Sequence, residues 1–317
     1  MTKLVDIVEL VSDYTFRTVL IGAMGIGAIS GTMGCFAYLR RQSLVGDVVS
    51  HSSLLGIMLF FLISYQLTGE GSKSLFVLIP GAVLSGVAAL LLTQWIVSNA
   101  RVRSDSALGT MLAIFFGTGI LLLRWVQQSD TAIPGRRGLK DYLFGMAASM
   151  TESDLTMVGI VGLFSFVVVV LLWCQLKVFT FDPVFSHCIG LRGRFLDVVL
   201  IVLMVNGIVI GIQCVGVVLM IALLVAPAAA ARQWTSTLGR MVILAAVIGA
   251  ICGGIGATTS ALASHVPTGP VIVLAGFAFF AGSILFAPSR GAISRWSKRR
   301  QLIRALKSSG ESGDLPC

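Results

Sequence analysis

Residues 18–39, 44–67, 75–97, 107–126, 155–179, 197–213, 215–234, 240–263 and 269–287 are apolar almost without interruption, and charged or strongly polar residues collect between them. None of these runs alternates with the period of a half-buried strand, and several are apolar around the whole helical circumference. Such runs are helices buried in lipid or in other helices. At about 1.5 Å of rise per residue, most are long enough to cross a hydrocarbon core of about 30 Å. The sixth and seventh form one run between Asp197 and Arg232, divided by Gln213 and Gly216, so the pattern predicts eight or nine spans. The expected fold is all-α, a polytopic integral membrane protein. Its transmembrane domain occupies residues 1–287, and a short basic tail follows over 288–317.

Composition supports the bilayer as the solvent. Of 317 residues 56% are hydrophobic and 12% charged, and the mean hydropathy is +0.95; an average soluble domain carries about 25% charged residues. The net charge of +9 would suggest nucleic acid in a soluble protein. Here the basic residues lie in short loops (Arg40, Arg41, Arg101, Arg103, Arg192, Arg194) and in the tail from Arg290 to Lys307, where a membrane protein gathers them on its cytoplasmic side. A nine-span chain then has its C-terminus in the cytoplasm and its N-terminus outside, and nucleic acid is not a partner. The six cysteines contain no CxxC pair, which speaks against a disulfide framework or a thiolate zinc site. Asp6, Glu9 and Asp13 interrupt the N-terminus, so the first apolar run reads as a retained span, not a cleaved signal peptide.

Within the spans glycine is dense. Gly27 with Gly31, and Gly249 with Gly253, have the small-xxx-small spacing that lets membrane helices approach closely. Two connections are long: 127–154, with a Pro134-Gly135 turn followed by an apolar stretch over 142–150, is placed outside, and 180–197, mixed in polarity, reads as a short interfacial helix on the cytoplasmic side.

An ionisable group inside a span is costly and points to function. The clearest instance is Gly46-Asp47-Val48-Val49-Ser50-His51. Asp47 and His51, four apart, share one face of a helix, and carboxylate oxygen with imidazole nitrogen suits Mn, Fe or Zn. The same residues can also be explained by a helix-capping Asp47 and a hydrogen-bonded His51. His265, in the rigid turn His265-Val266-Pro267-Thr268-Gly269-Pro270, is a second candidate ligand, and His187 and Asp105 read as surface and helix-cap residues. Gln94, Asn206 and Gln213 suit hydrogen bonds between helices. No HExxH, GxSxG or GxxxxGK[ST] pattern is present, so ATP hydrolysis by this chain is not expected.

Six stretches, taken in order, resemble the membrane permease subunits of ATP-binding-cassette importers for manganese, zinc or iron. They are Gly46-Asp47-x-x-Ser50-His51, Ser104-Asp105-x-x-Leu108-Gly109, Leu143-Phe144-Gly145, Phe181-Asp182 to Gly190, Val215-Gly216-Val217 leading to Ala226-Pro227-Ala228, and Pro267-Thr268-Gly269-Pro270. The resemblance implies a multi-pass protein of the cell's inner (cytoplasmic) membrane. Such a protein, as the resemblance implies, would pair with a second permease chain, identical or different, a cytoplasmic ATP-binding subunit and an extracytoplasmic metal-binding receptor. It further implies that Asp47 and His51 are pathway ligands, that Asp182 and Gly190 belong to the segment that couples to the ATPase, and that no cofactor is held permanently, the divalent metal being cargo. Where many relatives have an acidic residue before the Pro-x-Gly turn, this chain has His265. An ATPase-independent secondary transporter or channel is the alternative.

Overall fold

The computed structural model describes residues 14–40, 42, 44–68, 75–128, 152–262 and 266–287, with positions 291, 294 and 296. Among them there is no strand. The helices are α1 (Tyr14–Leu39), α2 (Val45–Thr68), α3 (Leu75–Asn99), α4 (Ser104–Gln128), α5 (Glu152–Leu171), α6 (Trp173–Phe181), α7 (Pro183–Cys188), α8 (Gly193–Val215), α9 (Val217–Trp234), α10 (Leu238–Leu262) and α11 (Thr268–Phe286). Eight of them are long and apolar enough to cross a bilayer, and α9 is a shorter apolar helix. Each apolar run of the sequence is thus helical over most of its described residues. His265, the apolar stretch 142–150 and nearly all of the basic tail lie outside the described residues.

Helix ends fall within four residues of the sequence pattern, and one run is interrupted. The run 155–179 divides at Leu172, whose φ of −99° and ψ of 15° leave the helical region. No proline or glycine stands there, and hydrogen bonds bridge the break on both sides, from Leu172 N to Val168 O and from Leu176 N to Leu172 O. The break separates an α5 whose Leu163, Phe166 and Leu171 face outward from an α6 that buries Leu176 and Phe179. Helix α8 also begins at Gly193, earlier than residue 197.

Glycine decides how the bundle closes. A Cβ at Gly27 would strike the carbonyl of Gly249, one at Gly31 that of Ala245, and one at Gly253 that of Ala23. Each step of four residues up α1 is a step of four down α10, so the two helices run antiparallel, backbone against backbone. In lipid there is no hydrophobic force between helices, and close van der Waals approach of this kind holds them together. Helices α2 and α3 repeat the device. Gly56 and Gly81 face each other, and one turn away the Ser85 hydroxyl donates to the Ser52 carbonyl at 2.7 Å.

Helix α8 lies at the centre, in contact with α1, α2, α3, α5, α9 and α11, and its Leu200, Met204, Val205 and Ile208 are fully buried. Helices α4, α5 and α11 turn large apolar side chains outward, among them Leu121, Trp125, Phe166, Leu274 and Phe277. Lipid tails, as apolar as leucine, suit that surface.

Between α8 and α9 the chain reverses at one residue. Gly216 has φ +86° and ψ 163°, a region essentially closed to residues with a Cβ. Past it the chain returns, so that Met220 packs onto Gly211. The Gly216→Ala chain is expected to lose about 1–3 kcal/mol, read as a lower thermal unfolding midpoint in detergent.

Candidate functional site

The candidate pair stands where α1 hands over to α2. The turn is tight: Gln42 N bonds Ala37 O and Val45 N bonds Gln42 O. Gly34 of α1 and Gly46 of α2 both meet Leu224 of α9. The first turn of α2 is therefore roughly level with a point five residues short of the end of α1, about 7 Å inside it at the helical rise. Asp47 stands within the bundle, not at its rim.

Asp47 lies in the first turn of α2, where the helix dipole favours a carboxylate. One turn on, His51 Nε2 is 3.5 Å from Asp47 Oδ1. An ion held at about 2.1 Å from each atom, across that 3.5 Å gap, would subtend an angle of about 110°, close to tetrahedral. The Phe116 ring of α4 meets the imidazole edge-on, with centroids 4.5 Å apart and planes at 64°. Val48, Val49, Ser50, Ser52 and Ser53 are buried against neighbouring helices, whereas the side chains of Asp47 and His51 keep 33% and 22% of their surface. The pair thus faces an open side of the chain. Among the described residues His51 makes no hydrogen bond to another helix, and no cluster of three or more His, Cys, Asp or Glu forms.

Ser50, between the two candidate ligands, is fully buried with a hydroxyl that has no hydrogen-bond partner among the described residues. An unsatisfied buried hydroxyl costs about 1–3 kcal/mol. Ser50→Ala is accordingly expected to unfold at a temperature equal to or above that of the wild type in detergent.

Asp182 and Gly190 frame α7. The Asp182 carboxylate accepts from Phe185 N at 2.9 Å, and Pro183 takes the first helical position. At the other end Gly190 has φ +80°, with Gly190 N bonded to His187 O and Leu191 N to Ser186 O, the paired bonds of a glycine-terminated helix. Six residues are thereby fixed as a separate helix. Phe181, Val184, Phe185 and Ile189 on and around it are all more than half exposed. His187, placed at the surface by the sequence, is exposed but rests its ring on Gly193, where an added Cβ would lie 2.8 Å from Nε2.

One group escaped the sequence reading. Arg40, at the end of α1, pairs with Asp197 of α8 at 2.7 Å, and its guanidinium carbon lies 4.6 Å from the centre of the Phe179 ring in α6. Arg40 counted only as a topology charge. The usable signal was that Arg40 and Asp197, of opposite sign, end helices on the same side of the expected topology. Beside them opens a cavity of about 860 Å³, lined also by Gln94, Ser98, Asn99, Ser104 and Arg194.

Residues 12–287 match the model of the ABC 3 transport family. The chain is 39% identical over 295 residues to the zinc transport system membrane protein TroC of Treponema pallidum, covering 93% of this chain and 96% of that one. It is 35% identical to the manganese transport system membrane protein MntC of Bacillus subtilis, over 94% of this chain and 68% of that one. Among solved structures, PsaBC from Streptococcus pneumoniae in complex with Fab superimposes with a TM-score of 0.77 at 27% identity, over 94% of this chain and 99% of the other. With residues 12–287 matched by the family model and the relatives aligned over more than nine-tenths of it, the chain belongs to the ABC 3 transport family.

Proposed function

We propose that this chain is the permease subunit of an ATP-binding-cassette importer that carries a divalent transition-metal ion, manganese, zinc or iron, into the cytoplasm by alternating access. The observation that carries the reading is the Asp47–His51 pair: two metal-type donors 3.5 Å apart, one turn inside a membrane helix and open to one side. The names of the relatives, a zinc and two manganese transport proteins among them, support the choice of cargo.

Two donors from one chain hold an ion weakly. A second permease chain, identical or homologous, facing the same side would bring the count to four, and release into the cytoplasm requires that binding stay loose. In this reading the exposed apolar face of α7 meets a cytoplasmic ATP-binding subunit, since this chain has no nucleotide loop of its own, and an extracytoplasmic receptor delivers the metal. The protein sits in the inner (cytoplasmic) membrane with α7 and the C-terminal tail 288–317 on the cytoplasmic side, and residues 1–287 form the permease domain. The metal is cargo, and no cofactor is resident. His265 would receive the incoming ion on the outer side.

The test is radiolabelled uptake of Mn, Zn and Fe by cells expressing the complete importer, with wild type compared with Asp47→Ala and His51→Ala at equal membrane abundance. Loss in both variants supports the reading, and unchanged uptake in both overturns it. Uptake by the purified chain alone in liposomes would establish the ATPase-independent alternative instead.

A further inference from the structure

Between α7 and the candidate pathway runs a series of contacts, through side chains as far as Arg40 and through the backbone of the α1–α2 turn from there. The His187 ring of α7 lies on Gly193 at the start of α8, and the edge of Phe179 comes to the same spot, 3.4 Å from where a Cβ on Gly193 would stand. The face of Phe179, itself almost wholly buried, lies 4.6 Å from the Arg40 guanidinium. Arg40, its side chain 13% exposed, holds Asp197, 31% exposed, at 2.7 Å. Arg40 then leads directly into the turn in which Val45 N bonds Gln42 O and α2 begins, and Asp47 is in the first turn of that helix.

The other side of this group is different. There Arg40 and Asp197 border the 860 Å³ cavity together with Gln94, Ser98 and Asn99 of α3 and Ser104 of α4. Arg40 is therefore bound to α6 and α8 and shares an open space with the ends of α3 and α4. A displacement of α7 has a packed route to the α1–α2 turn and room for that turn to move.

We infer that Arg40 is a positioning residue, a strut that ties the α1–α2 turn, and with it Asp47 and His51, to the coupling helix α7, so that movement of α7 resets the metal pathway. This rests on the reading that α7 meets the ATPase. Arginine suits the position because its planar guanidinium stacks on a ring and forms a directional pair with a carboxylate at the same time; lysine, a compact and more strongly hydrated charge, does not do both.

The experiment uses the complete importer in liposomes, with receptor and Mn²⁺ outside and ATP inside, and measures Mn²⁺ uptake and ATP hydrolysis in the same vesicles. Arg40→Gln and Phe179→Leu are each expected to lower the metal moved per ATP hydrolysed by about tenfold, within the usual range of coupling between sites, while the ATPase still copurifies and still hydrolyses. Arg40→Lys keeps the charge and is expected to fall between these variants and the wild type. It also serves as the test should Arg40→Gln fail to assemble. An unchanged ratio of uptake to hydrolysis in assembled Arg40→Gln and Phe179→Leu importers overturns the strut. Val184→Asp, on the exposed face of α7, separates the two ideas. If it releases the ATPase while the Arg40 variants keep the normal ratio, the strut alone fails. If the ATPase stays bound and coupled in Val184→Asp, the placement of α7 fails and takes the strut with it.

Discussion

Leucine at Gly249 is expected to leave almost no folded protein in the membrane. The first atom added beyond the glycine meets the carbonyl of Gly27, which is backbone and cannot rotate away, so α1 and α10 must separate. Overpacking commonly costs about 1–3 kcal/mol where side chains can adjust; here the whole helix has to shift, and the contacts of Gly31 with Ala245 and of Gly253 with Ala23 are lost together. Gly27→Leu should fail in the same way. Gly159 of α5 is the control: it is exposed, nothing lies within 4 Å of its added Cβ, and Gly159→Leu should accumulate as the wild type does. Membrane abundance and size-exclusion profiles of the three tagged variants check the expectation, and normal profiles for Gly249→Leu and Gly27→Leu would remove the backbone seam as the basis of the fold.

The second large effect is expected at the candidate pathway, where Asp47→Asn discriminates better than alanine. Asparagine serves a helix N-terminus about as well as aspartate, so a residue with only a structural duty there would tolerate the change. A metal ligand would not, because the charge that replaces part of the ion's hydration shell is gone. Uptake by Asp47→Asn and by His51→Gln should each fall by at least about tenfold, the lower end of the loss found when even the groups supporting a metal ligand are removed. Membrane abundance should be unchanged, because neither side chain is fully buried. Full uptake by Asp47→Asn would return Asp47 to a role at the helix end.

What the sequence could show follows the distance over which each interaction acts. Asp47 and His51 are four apart, and helical periodicity alone puts them on one face. The α8–α9 reversal was marked by Gly216, because only glycine accepts that backbone conformation. Gly27, Gly31, Gly249 and Gly253 announced close approach, but spacing along one helix does not name the partner, and the pairing of α1 with α10 emerged only in three dimensions. The break at Leu172 had no proline or glycine to mark it; in three dimensions it falls where the outward-facing side chains of α5 give way to the buried Leu176 and Phe179 of α6. Arg40 and Asp197 are far apart in the chain, and their union depends on how α1 and α8 come side by side.

The α1–α10 seam has a mechanical consequence. Where glycine backbones meet with no side chain between them, no rotamer has to be frozen when the contact forms, and none can switch afterwards to let the helices slide. Packed seams of this sort have one setting, unlike interfaces that can repack between two. In the proposed alternation between open and closed forms, the seam stretch of α1 over residues 23–31 and its partners on α10 would act as the stationary frame, and the angular change would fall on the α1–α2 turn and on the helices that meet across cavities and single-residue bends.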